Sequence, residues 1–293
     1  MARQPRSLHG RVAVVTGGGR GIGKAIALAL TSEGCRVAIG DVDVAAAEAS
    51  ARELGGETLG LPLDVTDRPG FTAFLDEVER RLGPLDILVN NAGIMPIGPH
   101  EEEDDATAVR QVEINLHGVM HGTKEAMRRC KPRRTGHIVN IASSAGKTGV
   151  PHLATYCATK HAVVGLSEAV RAELRGTGVE ISVVMPNIVK TELSAGLVET
   201  PAFKNSTVDD VADAVIDALK LGRFDVYVPK SIGPTWAAMN LLPRRAREAI
   251  GRAMGIDRAL TQADRGARAA YEARAAASAP AAEVEIEHRE EVA

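Results

Sequence analysis

Aromatic residues are scarce in this 293-residue chain: one tryptophan, three tyrosines and four phenylalanines. With so few rings, and no basic stripe for them to interleave, a nucleic-acid surface is excluded from the expected partners. Charge of one sign is also lacking. Lys and Arg number 35 against 38 Asp and Glu, a formal net charge of -3, which gives no polyanion-binding signature. The three cysteines, Cys35, Cys130 and Cys157, are odd in number and show no metal spacing, so the sequence predicts a reducing compartment without a disulfide framework. His117, His121 and His152 bring no third ligand into register, and no metal site is expected. No apolar run reaches the ~18 residues of a membrane span. The opening MARQPRSLHGR is basic with no apolar run behind it, which does not read as a signal peptide. A cytoplasmic protein is the expectation.

What the chain does have is 45 % hydrophobic residues, enough for a sizeable core, laid out as alternating strands and helices. Arg11–Thr16 is a short apolar run that breaks into TGGGRGIG and then into the helical KAIALALTSEG, which Gly34 is placed to end. A second run, from Arg36, closes on Asp41. Further strands are read at 57–63, 86–90, 136–142, 180–185 and 224–228, with helices at 69–82, within 102–131, and after the T-x-x-D capping box of Thr207 and Asp210. The strands are apolar without alternation, as in a parallel sheet covered on both faces. The predicted fold is therefore α/β: a doubly wound, Rossmann-like domain with a mostly parallel seven-stranded sheet. A glycine-rich turn between strand and helix puts backbone amides and a helix N-terminus against a pyrophosphate. An acid at the end of the next strand can accept hydrogen bonds from the adenosine ribose.

Tyr156 and Lys160 stand four apart and share one helix face. A tyrosine hydroxyl ordinarily titrates near ~10, and a neighbouring ammonium favours the phenolate, so the pair is predicted to carry a lowered tyrosine pKa suited to proton exchange with an alcohol or carbonyl. Ser143 is delivered to the C-terminal end of the fifth strand, the edge where ligands of open α/β sheets bind. Each residue also has a plain structural reading: Ser143 as a helix cap, Lys160 as a solvated side chain, and Asn115 as a satisfied buried amide.

Taken in order, these motifs resemble the short-chain dehydrogenases/reductases in their single-domain branch, over roughly residues 8–228. TGGGRGIG matches the family's glycine turn at Thr16, Gly17, Gly21 and Gly23, with Arg20 and Ile22 inside it. Asp64 and Val65 resemble the pair that meets the adenine, and NNAG, with Asn91, Ala92 and Gly93, resembles the fourth-strand motif. Asn115 falls at the family's catalytic asparagine. Ser143, thirteen residues before Tyr156, has the family's serine spacing and is favoured over the adjacent Ser144; Lys160 completes the set. The resemblance implies hydride transfer between a nicotinamide cofactor and a secondary alcohol or ketone. Tyr156 would exchange the proton, Lys160 would hold the ribose, Ser143 would bind the reacting oxygen, and Asn115 would kink its helix around a relay water. It also implies a homo-oligomer, a tetramer paired through the helices containing Asn115 and Tyr156. The alternatives from other classes are a cofactor-binding sensor without turnover and a sugar-nucleotide epimerase of the longer branch.

One departure is Pro186-Asn187 where the family has Pro-Gly; asparagine tolerates unusual backbone angles, so the turn is expected to survive. Ile188 and Thr191 keep positions facing the nicotinamide carboxamide and phosphates. NAD is favoured over NADP because Asp41 would face a 2′-phosphate, a repulsion of up to ~4 kcal/mol at ~4 Å. Arg20 would return about 1.5–3 kcal/mol through a charged hydrogen bond. The substrate is expected to be a small apolar, lipid-like alcohol or ketone. Its pocket is assigned to Met95, Ser143, His152, Asn187, Leu193 and Leu197, beside Ile94 and Ile97 and under a lid over 187–206 that includes Val198 and Phe203. The expected domains are a catalytic domain over 1–228, a helical appendage over 229–277 and a disordered acidic tail over 278–293. In the appendage Trp236, Met239, Leu241 and Leu242 precede an arginine-bearing helix over 244–254, a combination suited either to peripheral contact with an anionic membrane or to folding back over the pocket or subunit interface.

Overall fold

The computed structural model describes residues 4–198, 200 and 206–277. Seven strands, β1 (Val12–Thr16), β2 (Arg36–Asp41), β3 (Leu59–Pro62), β4 (Ile87–Asn90), β5 (Gly136–Ile141), β6 (Val179–Pro186) and β7 (Asp225–Val228), form one sheet in the order β3-β2-β1-β4-β5-β6-β7. Every pairing in it is parallel. The doubly wound α/β expectation holds, with strand ends within two residues of those read from the sequence.

Successive strand residues feed two cores. Ala13, Val15, Ile39, Val89 and Val184 point to the face covered by α1 (Gly21–Ser32), α2 (Val44–Leu54) and α7 (Val208–Leu221). Val12, Val14, Leu88, Val183 and Met185 point to the face covered by α3 (Arg68–Leu82), α5 (Gly118–Arg133) and α6 (Ala154–Glu173). Both faces are therefore dry, which is why the strands lack polar alternation.

Local signals place the helix ends. The capping box at Thr207 and Asp210 opens α7, and Gly222, left-handed at φ 63°, closes it. Between α4 (Asp105–Val112) and α5 the chain makes a π-helical turn, Glu113–His117, with Asn115 fully buried inside it. Such turns are rare and mark sites where a helix has been widened locally.

The strand order reverses direction between β1 and β4, so the crevice of the doubly wound fold opens at their C-terminal ends. The two loops leaving those ends are clamped together. Thr16 Oγ1 accepts from the Asn91 and Ala92 amides at 3.0 and 3.1 Å, and Asn91 Nδ2 donates to the carbonyls of Thr16 and Gly17 at 2.9 and 3.0 Å.

Beyond β7 the chain continues through α8 (Ile232–Asn240), α9 (Arg244–Ala253), α10 (Ile256–Thr261) and α11 (Arg265–Ala277). α8 packs at the β7 edge, α9 packs against α10, and Leu241 between α8 and α9 is 86 % exposed. α10 and α11 return to the crevice. Phe203 and the acidic segment from 278 lie outside the described residues.

Candidate active site

The crevice is a cleft of about 760 Å³. Its first wall is the glycine turn. Gly17 and Gly21 take φ of +63° and +54°, and a Cβ on Gly23 would lie 2.2 Å from the Gly17 carbonyl, so these positions admit only glycine. α1 starts at Gly21 with no side-chain cap from Arg20, which leaves its first N–H groups open toward the cleft. Asp41, at the end of β2, accepts from the Gly19 amide at 2.9 Å and the Asp43 amide at 3.0 Å. An uncapped helix start, a turn stripped of side chains and a carboxylate at the second strand end fit the pyrophosphate and ribose of a dinucleotide.

The second wall carries Ser143, Tyr156 and Lys160. Ser143 follows β5, and its Oγ accepts from the Ala145 amide at 3.1 Å, so it is also the cap of a short 3-10 turn. Its hydroxyl donates to the Pro186 carbonyl at 3.5 Å and lies near enough to Tyr156 to favour the phenolate. Ser144 turns away, donating to Asn187 Oδ1 at 3.2 Å. Lys160 lies one helical turn beyond Tyr156 on α6; it is buried, donates to the Ile141 carbonyl at 3.0 Å, and sits 5.6 Å from the Tyr156 ring centroid. The solvated reading of Lys160 is thereby removed. Burial pulls its pKa down to about 8.

For Tyr156 the expected lowering is reversed. Burial pushes the phenol above its ordinary value, against the nearby Ser143 hydroxyl, which favours the phenolate. The reason is desolvation: Tyr156 and Lys160 share a dry pocket, where forming either charge is costly. Among the chain's own groups the hydroxyl thus stays protonated at neutral pH.

Asn115 lies beneath the cleft and does not line it. Its Oδ1 accepts from the Ile94 amide at 2.8 Å, and its Nδ2 donates to the Ile94 carbonyl at 2.9 Å and to Thr159 Oγ1 at 3.3 Å. The π turn brings this side chain between the loop after β4 and α6, tying the loop to the helix that carries Tyr156.

Gly17, Arg20, Gly21, Ile22, Gly23, Asp41, Asp64, Val65, Asn91, Ala92, Gly93, Met95, Pro186, Asn187, Ile188, Thr191, Leu193 and Leu197 all line the same cleft as Ser143, Tyr156 and Lys160. His152 does not: its backbone is left-handed at φ 65°, and its carbonyl accepts from the Gly98 amide at 3.1 Å. Val198 is likewise off the wall, 38 % exposed. Asn187 needs none of the unusual backbone angles foreseen for it, since its φ is not positive. It contributes instead through its side chain and through its amide, which donates to Val228 at 2.8 Å. Arg20 is committed to carboxylates, pairing with Asp43 and standing 3.8 Å from Glu192.

The wall that sequence reasoning missed comes from α10 and α11. Leu260, Tyr271, Arg274 and Ala275 line the cleft. Leu260 is buried against Met95, Val150, Leu153 and Tyr156. Arg268, 2 % exposed, staples α11 down: its guanidinium donates to the carbonyls of Leu193, Ala195 and Met95 at 2.8, 3.1 and 2.9 Å and pairs with Glu272 at 3.0 Å. The segment that folds back is therefore 256–277. The arginine-bearing α9 lines no part of the cleft.

A profile of the short chain dehydrogenase family matches residues 11–202. A 2-(S)-hydroxypropyl-CoM dehydrogenase of Xanthobacter autotrophicus is 35 % identical over 257 residues, covering 87 % of this chain and 98 % of its own. A 3-oxoacyl-[acyl-carrier-protein] reductase of Haemophilus influenzae is 36 % identical, covering 71 % of this chain and 90 % of its own. The crystal structure of a Burkholderia phymatum short-chain dehydrogenase/reductase in complex with NAD superimposes with a TM-score of 0.73 at 27 % identity, over 79 % of this chain and 93 % of that one. The chain belongs to the short-chain dehydrogenase/reductase family, a family of oxidoreductases.

Proposed function

We propose that this protein is a nicotinamide-dependent alcohol dehydrogenase or carbonyl reductase, with NAD favoured over NADP, acting on an apolar secondary alcohol or ketone. The observation that carries this reading is the meeting of Ser143, Tyr156 and a buried Lys160 in one cleft that also holds the glycine turn.

A bound nicotinamide dinucleotide supplies the hydride donor or acceptor; the rest falls to the chain. The open amides of Gly21 and Ile22, with Thr191 opposite, would hold the phosphates, Asp41 the adenosine ribose, and Asp64 and Val65 the adenine. Lys160 would hold the nicotinamide ribose. Ser143 would orient the reacting oxygen and steady its developing charge, while Tyr156 exchanges the proton at that oxygen. Asn115, its side chain spent on Ile94 and Thr159, would hold the π turn open for the proton's path from Lys160 toward solvent.

Met95, Leu193, Leu197 and Leu260 make the substrate end apolar, which supports a lipophilic substrate. The named relatives, a dehydrogenase of a hydroxypropyl compound and a reductase of a 3-oxoacyl chain, agree with alcohol–ketone chemistry. Pairing into a homo-oligomer through α4, α5 and α6 belongs to the same reading; light scattering tests it, and a monomer mass at micromolar protein would refute it. So does peripheral contact with an anionic bilayer, where exposed Leu241 and the α9 residues Arg244, Arg245 and Arg252 would dock. Sedimentation with phosphatidylglycerol vesicles that survives deletion of 232–254 would exclude that surface.

The deciding experiment is a spectrophotometric NAD-reduction screen over secondary alcohols, from short polyols to steroids and long-chain lipids. Turnover that Tyr156→Phe abolishes is the expected result. Cofactor binding with no turnover of any alcohol or ketone would favour a cofactor sensor instead.

A further inference from the structure

α11 places a second phenol in the cleft. Tyr271 lines it together with Tyr156. Two contacts fix Tyr271, and the second is itself anchored. Its oxygen accepts from the Met95 amide at 2.6 Å, its ring lies 5.1 Å from the Arg268 guanidinium carbon, and Arg268 is itself anchored on three carbonyls. Burial holds its pKa up at about 12, so the phenol is neutral under working conditions.

A neutral phenol is one donor and one acceptor. The Met95 amide occupies the acceptor side, and among the described residues nothing accepts the Tyr271 proton. Of the residues lining the same cleft, Met95, Leu193, Leu197 and Leu260 offer no side-chain acceptor. Ser143 and Tyr156 already form the pair that meets the reacting oxygen, so a donor at Tyr271 is surplus to one oxygen. A donor with no protein acceptor, facing the cleft, is available to a ligand oxygen, and pairing it there adds a hydrogen bond.

We propose that the Tyr271 hydroxyl is a second polar subsite, donating to an oxygen of the substrate other than the one undergoing hydride transfer. The substrate is then an apolar alcohol or ketone with a second carbonyl, ester or hydroxyl oxygen near the reacting carbon. This rests on the alcohol–ketone reading above and narrows it.

Matched ketones test the proposal: 2-octanone, 2,3-octanedione and methyl 3-oxooctanoate, each reduced with NADH and with NADPH. The wild type is expected to prefer at least one of the two dioxygenated ketones over 2-octanone by about tenfold in kcat/KM, the value of one hydrogen bond. Tyr271→Phe, which keeps the ring under Arg268, is expected to erase that preference through KM while leaving 2-octanone within about threefold. An equal fall for all three ketones would mean that Tyr271 is only a latch on Met95, and unchanged values for all three would equally overturn the subsite. The alcohol–ketone reading is judged separately by the wild type and Tyr156→Phe: no reduction of any of the three by the wild type overturns the reading and the subsite with it.

Discussion

Lys160 Nζ stands 5.6 Å from the centroid of the Tyr156 ring and spends a hydrogen bond on the Ile141 carbonyl at 3.0 Å, with both side chains buried. Each group resists its charged form there: the lysine pKa is pulled down to about 8 and the tyrosine pKa is raised. Tyr156 therefore begins as a proton donor at neutral pH, the form that carbonyl reduction requires. Oxidation needs the phenolate. The expected profile of kcat/KM is a reduction arm that holds at pH 6–7.5 and falls above about 8 as Lys160 loses its proton, with an oxidation arm that reaches no plateau below pH 10, since the tyrosine is raised above its ordinary ~10. An oxidation rate that peaked near pH 6 would contradict this assignment.

The same burial predicts a stability effect. Between about pH 8 and the ordinary lysine value of 10.5, the unfolded chain holds a proton that the folded chain has released, so stability rises with pH across that window. Below it, the folded protein bears the cost of a buried ammonium, on the order of 3 kcal/mol. Above pH 10 the tyrosine works the other way, since the folded state keeps a proton that the unfolded state loses. Lys160→Met should therefore be inactive yet melt roughly 5 °C higher than wild type at pH 7, with the gap closing toward pH 10. Calorimetry at both pH values checks this; a lower melting temperature at pH 7 would show that the Ile141 contact outweighs the desolvation.

Ser143 and Ser144 are adjacent but face different partners, Tyr156 and Asn187. Ser143→Ala is expected to lower kcat by about 10²–10³, the usual loss for a donor aimed at a developing oxyanion. Ser144→Ala should cost less than about tenfold and act mainly on KM, through the Asn187 side chain. Steady-state kinetics on one substrate separates the two, and a larger kcat loss in Ser144→Ala would exchange their roles.

Asp41 projects from the end of β2 against the glycine turn, while Arg20 is already paired with Asp43 and near Glu192. The cation nearest the place of a 2′-phosphate is thus partly neutralised. NADH should bind at least about tenfold more tightly than NADPH. Asp41→Asn, which retains an acceptor for the Gly19 amide but removes the charge, should narrow the gap. Fluorescence titration of both reduced cofactors reads the result, and tighter NADPH binding by the wild type would reverse the preference.

Much of this was readable in advance because strands, glycine turns and the serine–tyrosine–lysine spacing are local patterns. The parallel sheet announced itself in unbroken apolar runs, and the C-terminal strand ends fixed which residues share an edge. The pKa of Tyr156 was not readable: i,i+4 spacing tells that Lys160 is near, but not that both are dry. His152 looked pocket-facing from its distance to Tyr156, yet a left-handed backbone directs its carbonyl to Gly98 instead. Tyr271 and Arg268 carried no signal at all. In an alanine-rich helix with Arg268 and Glu272 four apart, nothing in the pattern marks an inward face, and only tertiary docking 173 residues from Met95 reveals one.

That docking has a temporal side. The Met95–Tyr271 hydrogen bond joins positions 176 apart in the chain, a closure whose entropic cost is met only after the sheet between them has formed. A refolding molecule can thus possess the glycine turn and the Ser143–Tyr156–Lys160 group while one side of its substrate chamber still stands open to water. In a stopped-flow experiment, NADH fluorescence enhancement should return before discrimination among ketones does, so that an immature molecule passes through an interval of indiscriminate chemistry.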